Sequence, residues 1–257
     1  MNPPFKGIKH FALDMDGTIY EGGRLFPTTR PFLEFLESRG LGHTFLTNNS
    51  SRSVDAYLRH LRGMGLSARR GELYSSTLNT VEHLRERHPA VHRLFILGTE
   101  SMRLEMVGQG FEDVGEGPDA VVVGFDRELT YERLCAAAYW ISRGLPFIST
   151  HPDTVCPTSE ATLLVDCGCL TSCLEKATGR EAVVLGKPDP SMLRAVARRN
   201  NLALSEIAMV GDRLNTDIEM ARRAGTLGVL VSSGPPRADC LTVRDLGELA
   251  GLLAKSV

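Results

Sequence analysis

Short apolar runs and amphipathic segments alternate along the whole chain. A short apolar run bounded by turn residues is typical of a buried strand, and apolar residues three or four positions apart are typical of a helix that faces a core. The apolar runs predict strands at 7–13, 43–46, 72–75, 93–97, 120–123, 146–149, 182–185, 207–210 and 226–231. The helical spacing predicts helices that begin after Thr28 or Thr29 and after Ser50 or Ser51, and further helices at 130–143, 169–178, 191–200 and 214–224.

Strands that alternate with helices of this length predict parallel sheets joined by right-handed crossovers. We therefore expect an α/β fold whose core is a Rossmann-like, doubly wound parallel sheet. In open sheets of this kind, functional residues lie at the carboxyl ends of the strands. Four polar residues lie at or just after such an end: Asp14, Thr47, Lys187 and Asp212.

The first of these strand ends carries two carboxylates, in the segment Asp14-Met15-Asp16-Gly17-Thr18. Side chains alternate along a strand, so residues two positions apart can face one pocket. Two adjacent negative charges repel each other and favour the binding of a divalent cation. Asp-Gly is also a common turn dipeptide, so the segment taken alone fits a metal site or a plain turn.

Three later segments carry further polar groups at strand-to-loop junctions. The segment 47–49 offers a hydroxyl and loop amides that can cradle an oxyanion, although a helix cap followed by turn-forming asparagines also explains it. Lys187 precedes a proline loop that can hold its ammonium group in place, although most lysines are solvated. Asp212 and Asp217 add carboxylates, and the alternative for them is an acidic helix start.

Taken together, these segments resemble the four motifs of the haloacid-dehalogenase-like phosphatases. They most resemble class IIA, the group of NagD-type and p-nitrophenyl-phosphatase-type enzymes. Each motif alone is weak, but their joint order and placement are specific. The resemblance covers nearly the whole chain and is carried by the segments 14–20, 46–50, 119–126, 147–153, 186–190 and 211–218.

The resemblance implies a magnesium-dependent phosphatase that hydrolyses a small phosphomonoester through an aspartyl-phosphate intermediate. Asp14 would be the nucleophile, and Asp16 would protonate the leaving alcohol and then activate the attacking water. The family's Mg²⁺ would be bound by the Asp14 carboxylate, the Asp16 backbone carbonyl and Asp212. Asp217 would be a ligand through water or an anchor, and the sequence leaves this open.

The resemblance also implies how the phosphoryl group is held. Thr47 and the amides around Asn48 and Asn49 would bind its oxygens, and Lys187 would neutralise charge beside the nucleophile. An acidic residue two positions after the nucleophile favours phosphoryl transfer to water over halide displacement, because only an oxygen leaving group needs a proton. Sugar phosphates, nucleoside monophosphates, phosphoglycolate and pyridoxal phosphate are all compatible substrates.

The spacing of the motifs predicts an inserted domain. About 140 residues separate Thr47 from Lys187, too many for one crossover. We expect a self-contained α/β unit at 77–183 inserted into a catalytic core formed by 1–76 and 184–257, and the resemblance implies that this unit is a cap domain. Its substrate loop would be the segment 149–157, with His151 as a substrate contact where the family often has Asn. A loop histidine without a role is the alternative.

Charge and composition limit the kinds of partner that we expect the protein to bind. The net charge is −2 and the pI about 6.4, which gives no sign of a surface for a nucleic acid polymer or a membrane. No apolar run is long enough to cross a bilayer, and the segment 1–6 lacks the layout of a signal peptide, so we expect a cytoplasmic location. The partner is then a small-molecule phosphomonoester, and the family type is compatible with a homodimer through the cap.

The six cysteines are expected to be reduced thiols. Cys167, Cys169 and Cys173 form a C-x-C-x3-C cluster, with only the distant Cys156 as a fourth ligand. Because zinc sites usually show more specific spacings, small residues at a turn and on a helix face are the favoured interpretation over a structural metal site.

Three other functions share part of this pattern. A phosphotransferase of the same superfamily would pass the phosphoryl group to an alcohol instead of water. A phospho-acceptor signalling domain also combines carboxylates, Thr, Lys and magnesium, but it is shorter, and its lysine follows the other motifs, whereas Lys187 precedes Asp212. A catalytically silent member that binds phospho-ligands is the third alternative, although none of the catalytic positions is missing.

Overall fold

A computed structural model describes residues 5–158 and 160–255. Its longer strands coincide with the apolar runs of the sequence, and shorter ones form hairpins and sheet edges. The strands are β1 (His10–Asp14), β2 (Tyr20–Glu21), β3 (Arg24–Leu25), β4 (Gly42–Thr47), β5 (Leu73–Ser75), β6 (Arg93–Leu97), β7 (Glu112–Asp113), β8 (Ala120–Val123), β9 (Phe147–Ser149), β10 (Val155–Cys156), β11 (Leu164–Val165), β12 (Val183–Val184), β13 (Ile207–Gly211), β14 (Leu227–Val231) and β15 (Leu241–Val243).

Helices fill most of the intervals between these strands. The α-helices are α1 (Thr29–Ser38), α2 (Val54–Gly63), α3 (Ser76–Arg87), α4 (Glu100–Gly108), α5 (Tyr131–Ser142), α6 (Cys167–Thr178), α7 (Ser191–Asn200), α8 (Glu219–Ala224) and α9 (Leu246–Ala254). Short 3₁₀ turns lie at Arg70–Glu72 and Leu204–Glu206, and a π-helical turn lies at Leu214–Ile218.

The chain separates into two compact units. The first contains residues 1–47, 60–74 and 187–257, and the second contains residues 48–59 and 75–186. The second unit is therefore inserted in the sequence of the first, and each has a parallel sheet of its own.

The first unit is built on a six-stranded sheet of order β15-β14-β13-β1-β4-β5. Strand β1 pairs in parallel with β13 and β4, and β13-β14 and β14-β15 are also parallel. The strand order reverses between β1 and β13, which is the topological switch of a doubly wound sheet. Leu13 pairs with Val210 and Asp14 with Leu46, so the carboxyl ends of β1, β4 and β13 are level with one another.

The second unit is a five-stranded parallel sheet of order β12-β9-β8-β6-β7. Alternation along β6 sends Leu94 and Ile96 to one face and Phe95 and Leu97 to the other, as the pleat of a strand requires. Helices α3 and α4 cover the first face, and α5 and α6 cover the second. The unit therefore has apolar cores on both sides of its sheet.

The predicted α/β fold with a Rossmann-like parallel core is confirmed. The helix predicted at 214–224 is divided into a π-helical turn and the short helix α8. Strand β15 and helix α9 were not predicted, although Asp245 followed by Glu248 is the spacing of a capping box, and Asp245 accepts a hydrogen bond from the Glu248 amide.

One local prediction was wrong. Ser53, not Ser50 or Ser51, caps helix α2, since its Oγ accepts a hydrogen bond of 3.2 Å from the Ala56 amide. On helix α4, Met102 and Met106 are buried, whereas Leu104 is exposed.

Within the described residues, no helix combines the length and apolarity needed to cross a membrane. The segment 1–4, on which the expectation of no signal peptide partly depends, lies outside the described residues.

Candidate active site

Asp14 is the last residue of β1 and lies at the switch point of the first unit's sheet. Its carboxylate is largely buried. Oδ1 accepts a short hydrogen bond from the Lys187 ammonium group, and the Thr18 hydroxyl lies 3.4 Å from Oδ2. The carboxylate is therefore held in place by groups on both sides.

Lys187 bridges two carboxylates. Besides Asp14 it donates a hydrogen bond of 2.7 Å to Oδ1 of Asp217. Burial alone would lower the pKa of this lysine, but the charges of Asp14 and Asp217 outweigh it and raise the pKa above its ordinary value. The lysine therefore carries its positive charge although the side chain is buried. The alternative of a solvated lysine is wrong.

Asp212 and Asp217 follow strand β13. Burial raises the pKa of both carboxyls. For Asp212, the charge of Asp14 is the next largest cause of the increase. Asp217 lies in the π-helical turn after the strand, and its Oδ2 accepts a hydrogen bond of 3.2 Å from the Arg213 amide. The turn thus directs Asp217 back toward the strand end, with one oxygen on Lys187 and the other on backbone.

The three carboxylates fit a cation. One oxygen from each of Asp14, Asp212 and Asp217 lies within 4.8 Å of the others. Oδ1 of Asp212 is buried and has no hydrogen-bond partner among the described residues. An unpartnered carboxylate oxygen beside other carboxylates costs free energy unless a cation or a proton compensates it, and such oxygens are the ligands that hard cations prefer.

Two glycines leave room for these carboxylates. A Cβ atom on Gly17 would lie 2.4 Å from Oδ2 of Asp212, and one on Gly211 would lie 2.3 Å from Cγ of Asp217. Gly17 also has a φ of +86°, in the left-handed region that favours glycine. The Asp-Gly dipeptide is therefore a turn, as one alternative held, and the same turn admits Asp212.

Asp16 is half-buried in the turn that follows β1. Its Oδ2 accepts a hydrogen bond of 3.1 Å from the Tyr20 hydroxyl. No role was predicted for Tyr20. A tyrosine four residues after Asp16, at the end of the Asp-Gly turn, was the only signal available.

Thr47 is the last residue of β4 and is buried. Asn48 and Asn49 follow it in the chain and belong to the second unit. There, Nδ2 of Asn48 donates a hydrogen bond of 3.1 Å to Asp153, and Oδ1 of Asn49 accepts hydrogen bonds from the amide and hydroxyl of Ser51. Both asparagine side chains thus have partners within their own unit.

His151 lies in the second unit and its side chain is fully buried. Nδ1 is 3.5 Å from Asp153 and Nε2 is 3.6 Å from Asp166. Burial would lower the pKa of His151, but its acidic neighbours, Cys167 and then Asp153 and Asp166, raise it to about 9. Because the carboxylates face different ring nitrogens, we interpret the group as an imidazolium between two carboxylates and not as a metal site. Substrate contact by the buried ring remains a prediction.

Asp166 and the cysteines lie close to this histidine or follow it in the chain. Asp166 is buried, and its carboxylate accepts a hydrogen bond of 2.6 Å from the Cys167 amide as the cap of α6. All six cysteines are free thiols. Cys167 is buried and Cys173 exposed, and no group of potential metal ligands in the described residues includes a cysteine.

The structure thus brings together Asp14, Lys187, Asp212 and Asp217 in the first unit, beside the turn that carries Asp16. The predicted residues Asn48, Asn49 and His151 belong to the second unit.

Comparison with known proteins shows the family of the chain. Residues 11–112 match the family model described as haloacid dehalogenase-like hydrolase, and residues 184–245 match a second model described as HAD-hydrolase-like. The 5'-nucleotidase YutF of Bacillus subtilis is 33% identical over 237 residues, which are 92% of this chain and 92% of that protein.

Solved structures show the same fold over the whole chain. The 4-nitrophenylphosphatase of Thermotoga maritima has a TM-score of 0.90 at 35% identity, and the match covers 96% of this chain and 98% of that one. The glycerol phosphate phosphatase of Mycobacterium tuberculosis, in complex with magnesium, has a TM-score of 0.86 at 29% identity, with 97% and 79% covered. By its motifs, its fold and these relatives, the chain belongs to the haloacid dehalogenase-like hydrolases, within them to the class IIA phosphatases of the NagD and p-nitrophenyl phosphatase type.

Proposed function

We propose that the protein is a magnesium-dependent phosphatase that hydrolyses a small phosphomonoester through an aspartyl-phosphate on Asp14. The observation that carries the proposal is the cluster at the switch point of the sheet, in which Lys187 bridges Asp14 and Asp217 and a buried oxygen of Asp212 has no partner in the described part of the chain. A dianionic ester needs both a fixed nucleophile and positive charge to offset its own.

In the first half-reaction, Asp14 attacks phosphorus and the bond from phosphorus to the leaving oxygen breaks. Asp16 gives its proton to that oxygen, so that an alcohol leaves and not an alkoxide. Lys187 holds the Asp14 carboxylate at a fixed angle and offsets the charge that gathers on the phosphoryl group. Thr47 and the backbone amides that follow it bind phosphoryl oxygens.

In the second half-reaction, Asp16 takes a proton from a water molecule whose oxygen attacks phosphorus. The bond between Asp14 and phosphorus breaks, and inorganic phosphate leaves. The same carboxyl group is therefore acid and then base, and the covalent intermediate divides one difficult step into two easier ones.

Asp14, Asp212 and the Asp16 carbonyl would hold the magnesium ion, which supplies charge neutralisation to the phosphoryl oxygens. We propose that Asp217 anchors Lys187, because its two oxygens accept hydrogen bonds from Lys187 and from the Arg213 amide. The relative from Mycobacterium tuberculosis was solved with calcium and with magnesium, which supports a divalent cation of this class.

We propose that the second unit acts as a cap domain that selects the leaving group. Relatives of the chain are named as a 5'-nucleotidase and as acid sugar phosphatases, so sugar phosphates and nucleoside monophosphates are the first substrates to test, followed by phosphoglycolate.

The experiment that tests the function is phosphate release from a panel of phosphomonoesters, with magnesium and then with EDTA. Asp14→Asn is isosteric and removes the nucleophilic oxygen, so its turnover should fall below about a thousandth of the wild-type rate. Asp239→Asn, on an exposed loop where Asp239 pairs with Arg237, is the matched control and should keep full activity. Turnover that survives in Asp14→Asn would contradict the assignment of the nucleophile.

The phosphotransferase alternative is tested in the same assay. Adding a competing alcohol such as glycerol should leave the amount of inorganic phosphate equal to the amount of alcohol released if water is the acceptor. A deficit of phosphate would indicate transfer to the added alcohol.

A further inference from the structure

Tyr20 is built into the same turn as the two catalytic carboxylates. Its amide and the amides of Thr18 and Ile19 all donate hydrogen bonds to the Met15 carbonyl, with N···O distances of 3.0–3.3 Å. Its own carbonyl accepts a hydrogen bond of 2.9 Å from the Gly17 amide. The backbone of Tyr20 is thereby fixed relative to the Asp-x-Asp segment, and its hydroxyl lies 3.1 Å from Oδ2 of Asp16.

The ring of Tyr20 is also held in place. It is buried, with 2% of its surface exposed. His60, in the last turn of helix α2, packs edge-to-face against it with ring centroids 5.4 Å apart. A buried phenol ring has few rotamers to choose from, so the position of its hydroxyl is set before substrate binds.

We propose that Tyr20 is the positioning residue for general acid catalysis by Asp16. The inference rests on the proposed function. A phenol hydroxyl is a hydrogen-bond donor to a carboxyl oxygen, so the Asp16 oxygen that accepts it, Oδ2, is the carbonyl oxygen of the protonated acid. The acid proton then lies on Oδ1.

The hydrogen bond from Tyr20 to Asp16 also becomes stronger as Asp16 gives up its proton. When Asp16 has given its proton to the leaving oxygen it is a carboxylate, and hydrogen bonds to a charged acceptor are stronger than those to a neutral one. Tyr20 keeps its own proton throughout. Its contribution is therefore confined to the step in which Asp16 transfers a proton.

This restriction separates positioning from a merely structural role. Cleavage of an alkyl phosphate releases a basic alkoxide oxygen and depends strongly on the acid, whereas p-nitrophenolate is a stable anion and leaves with little help. The parameter to compare is kcat/KM, because it covers only the steps through cleavage of the bond to the leaving group and is not affected by slow hydrolysis of the aspartyl-phosphate.

The test uses Tyr20→Phe, which removes the hydroxyl and keeps the ring against His60. For an alkyl phosphate that the wild-type enzyme hydrolyses, kcat/KM should fall about tenfold or more, and for p-nitrophenyl phosphate less than about threefold. The ratio of the two values is independent of the fraction of folded enzyme, so it remains valid if the variant is less stable. Tyr139→Phe, on an exposed part of α5, should leave the ratio unchanged.

An equal fall for both substrates, or no fall for either, would overturn the positioning role of Tyr20 and leave the phosphatase proposal intact. The absence of turnover by the wild-type enzyme on every ester, with or without magnesium, would overturn both. Asp16→Asn sets the limit of the effect, because it removes the acid itself and should lose alkyl phosphate turnover more completely than Tyr20→Phe.

Discussion

At the scale of single residues, the candidate site depends on how closely its groups approach one another. Gly17 shows this most directly, since the side chain of Asp212 occupies the space where a Cβ would be. The turn that carries Asp16 therefore meets Asp212, a predicted metal ligand, at this contact. Glycine is therefore required at position 17 both by the turn and by Asp212, which lies 195 positions later in the chain.

Substituting Gly17 by Ala should reduce kcat/KM about a hundredfold, because displacements of about 1 Å at a catalytic group have that effect. The concentration of magnesium at half-maximal activity should rise as well, since Asp212 must move. Steady-state kinetics over a magnesium titration measure both quantities.

Gly23 provides the matched control for that substitution. It has nearly the same left-handed backbone, with a φ of +83°, but beyond its chain neighbours no heavy atom of the described residues lies within 4 Å of its Cβ position. Gly23→Ala thus reproduces the backbone strain without the clash and should keep near-normal activity and magnesium dependence. Similar losses in both variants would show that strain and not the displacement of Asp212 is responsible.

At the scale of elements, the second unit joins two of its segments through His151. The residue follows strand β9, and its ring lies between Asp153 on the same loop and Asp166, which caps helix α6. With a pKa of about 9, the ring is an imidazolium at neutral pH and offsets the half-buried carboxylate of Asp153 and the buried one of Asp166.

The sign of the pH dependence follows from this raised pKa. His151 in the folded protein binds its proton more tightly than in the unfolded chain, where the pKa is about 6.5. Its contribution to stability is therefore complete below pH 6.5 and is lost as the pH rises through about 9. His151→Asn should lower the free energy of unfolding by about 3 kcal/mol at pH 6.

The difference between wild type and His151→Asn should shrink between pH 7 and pH 9.5, and urea unfolding at both ends of this range measures it. His92→Asn, on the exposed surface, controls for the loss of an ordinary histidine. A difference that does not vary with pH would show that His151 stabilises the unit by packing and not by charge.

Another element-scale finding is the π-helical turn at Leu214–Ile218. Such turns are rare and frequently lie at functional sites. Here the turn brings the Asp217 carboxylate within reach of Lys187. A regular helix starting at Leu214, as the apolar spacing predicted, has a different phase at Asp217, so the position of this carboxylate could not be read from the pattern.

At the scale of the whole molecule, we expect the carboxylate cluster to couple stability to cation binding. The pKa values of Asp212 and Asp217 are raised, mainly by burial, so these groups retain protons at acidic pH and repel one another once ionised. A ligand that binds only the folded state stabilises it by about 2.7 kcal/mol at a hundred times its Kd.

Magnesium should therefore raise the melting temperature at pH 8 and raise it much less at pH 5, where it competes with protons on the same oxygens. Removing the ion with EDTA should reverse the increase. Asp212→Asn should abolish most of the increase at pH 8, and an equal increase in that variant would place the stabilising ion elsewhere. Scanning calorimetry at matched ionic strength makes the comparison.

The sequence by itself determined the fold class, the family and the strand ends at which polar residues collect. These properties depend on apolar periodicity and on the joint order of short motifs. Both can be read along the chain without knowing which residues are in contact. The comparisons confirm the family and the fold, whereas the catalytic role of each residue stays a prediction.

Only the tertiary structure decided which groups meet and which are buried. Lys187 reaches Asp217 across 30 positions and Asp14 across 173, and neither periodicity nor spacing encodes such contacts. The same holds for the hydroxyl of Tyr20 on Asp16, for the paired carboxylates around His151 and for the burial of Asp166. A polar side chain at a loop is solvated or buried according to what packs over it, and residues distant in sequence supply that packing.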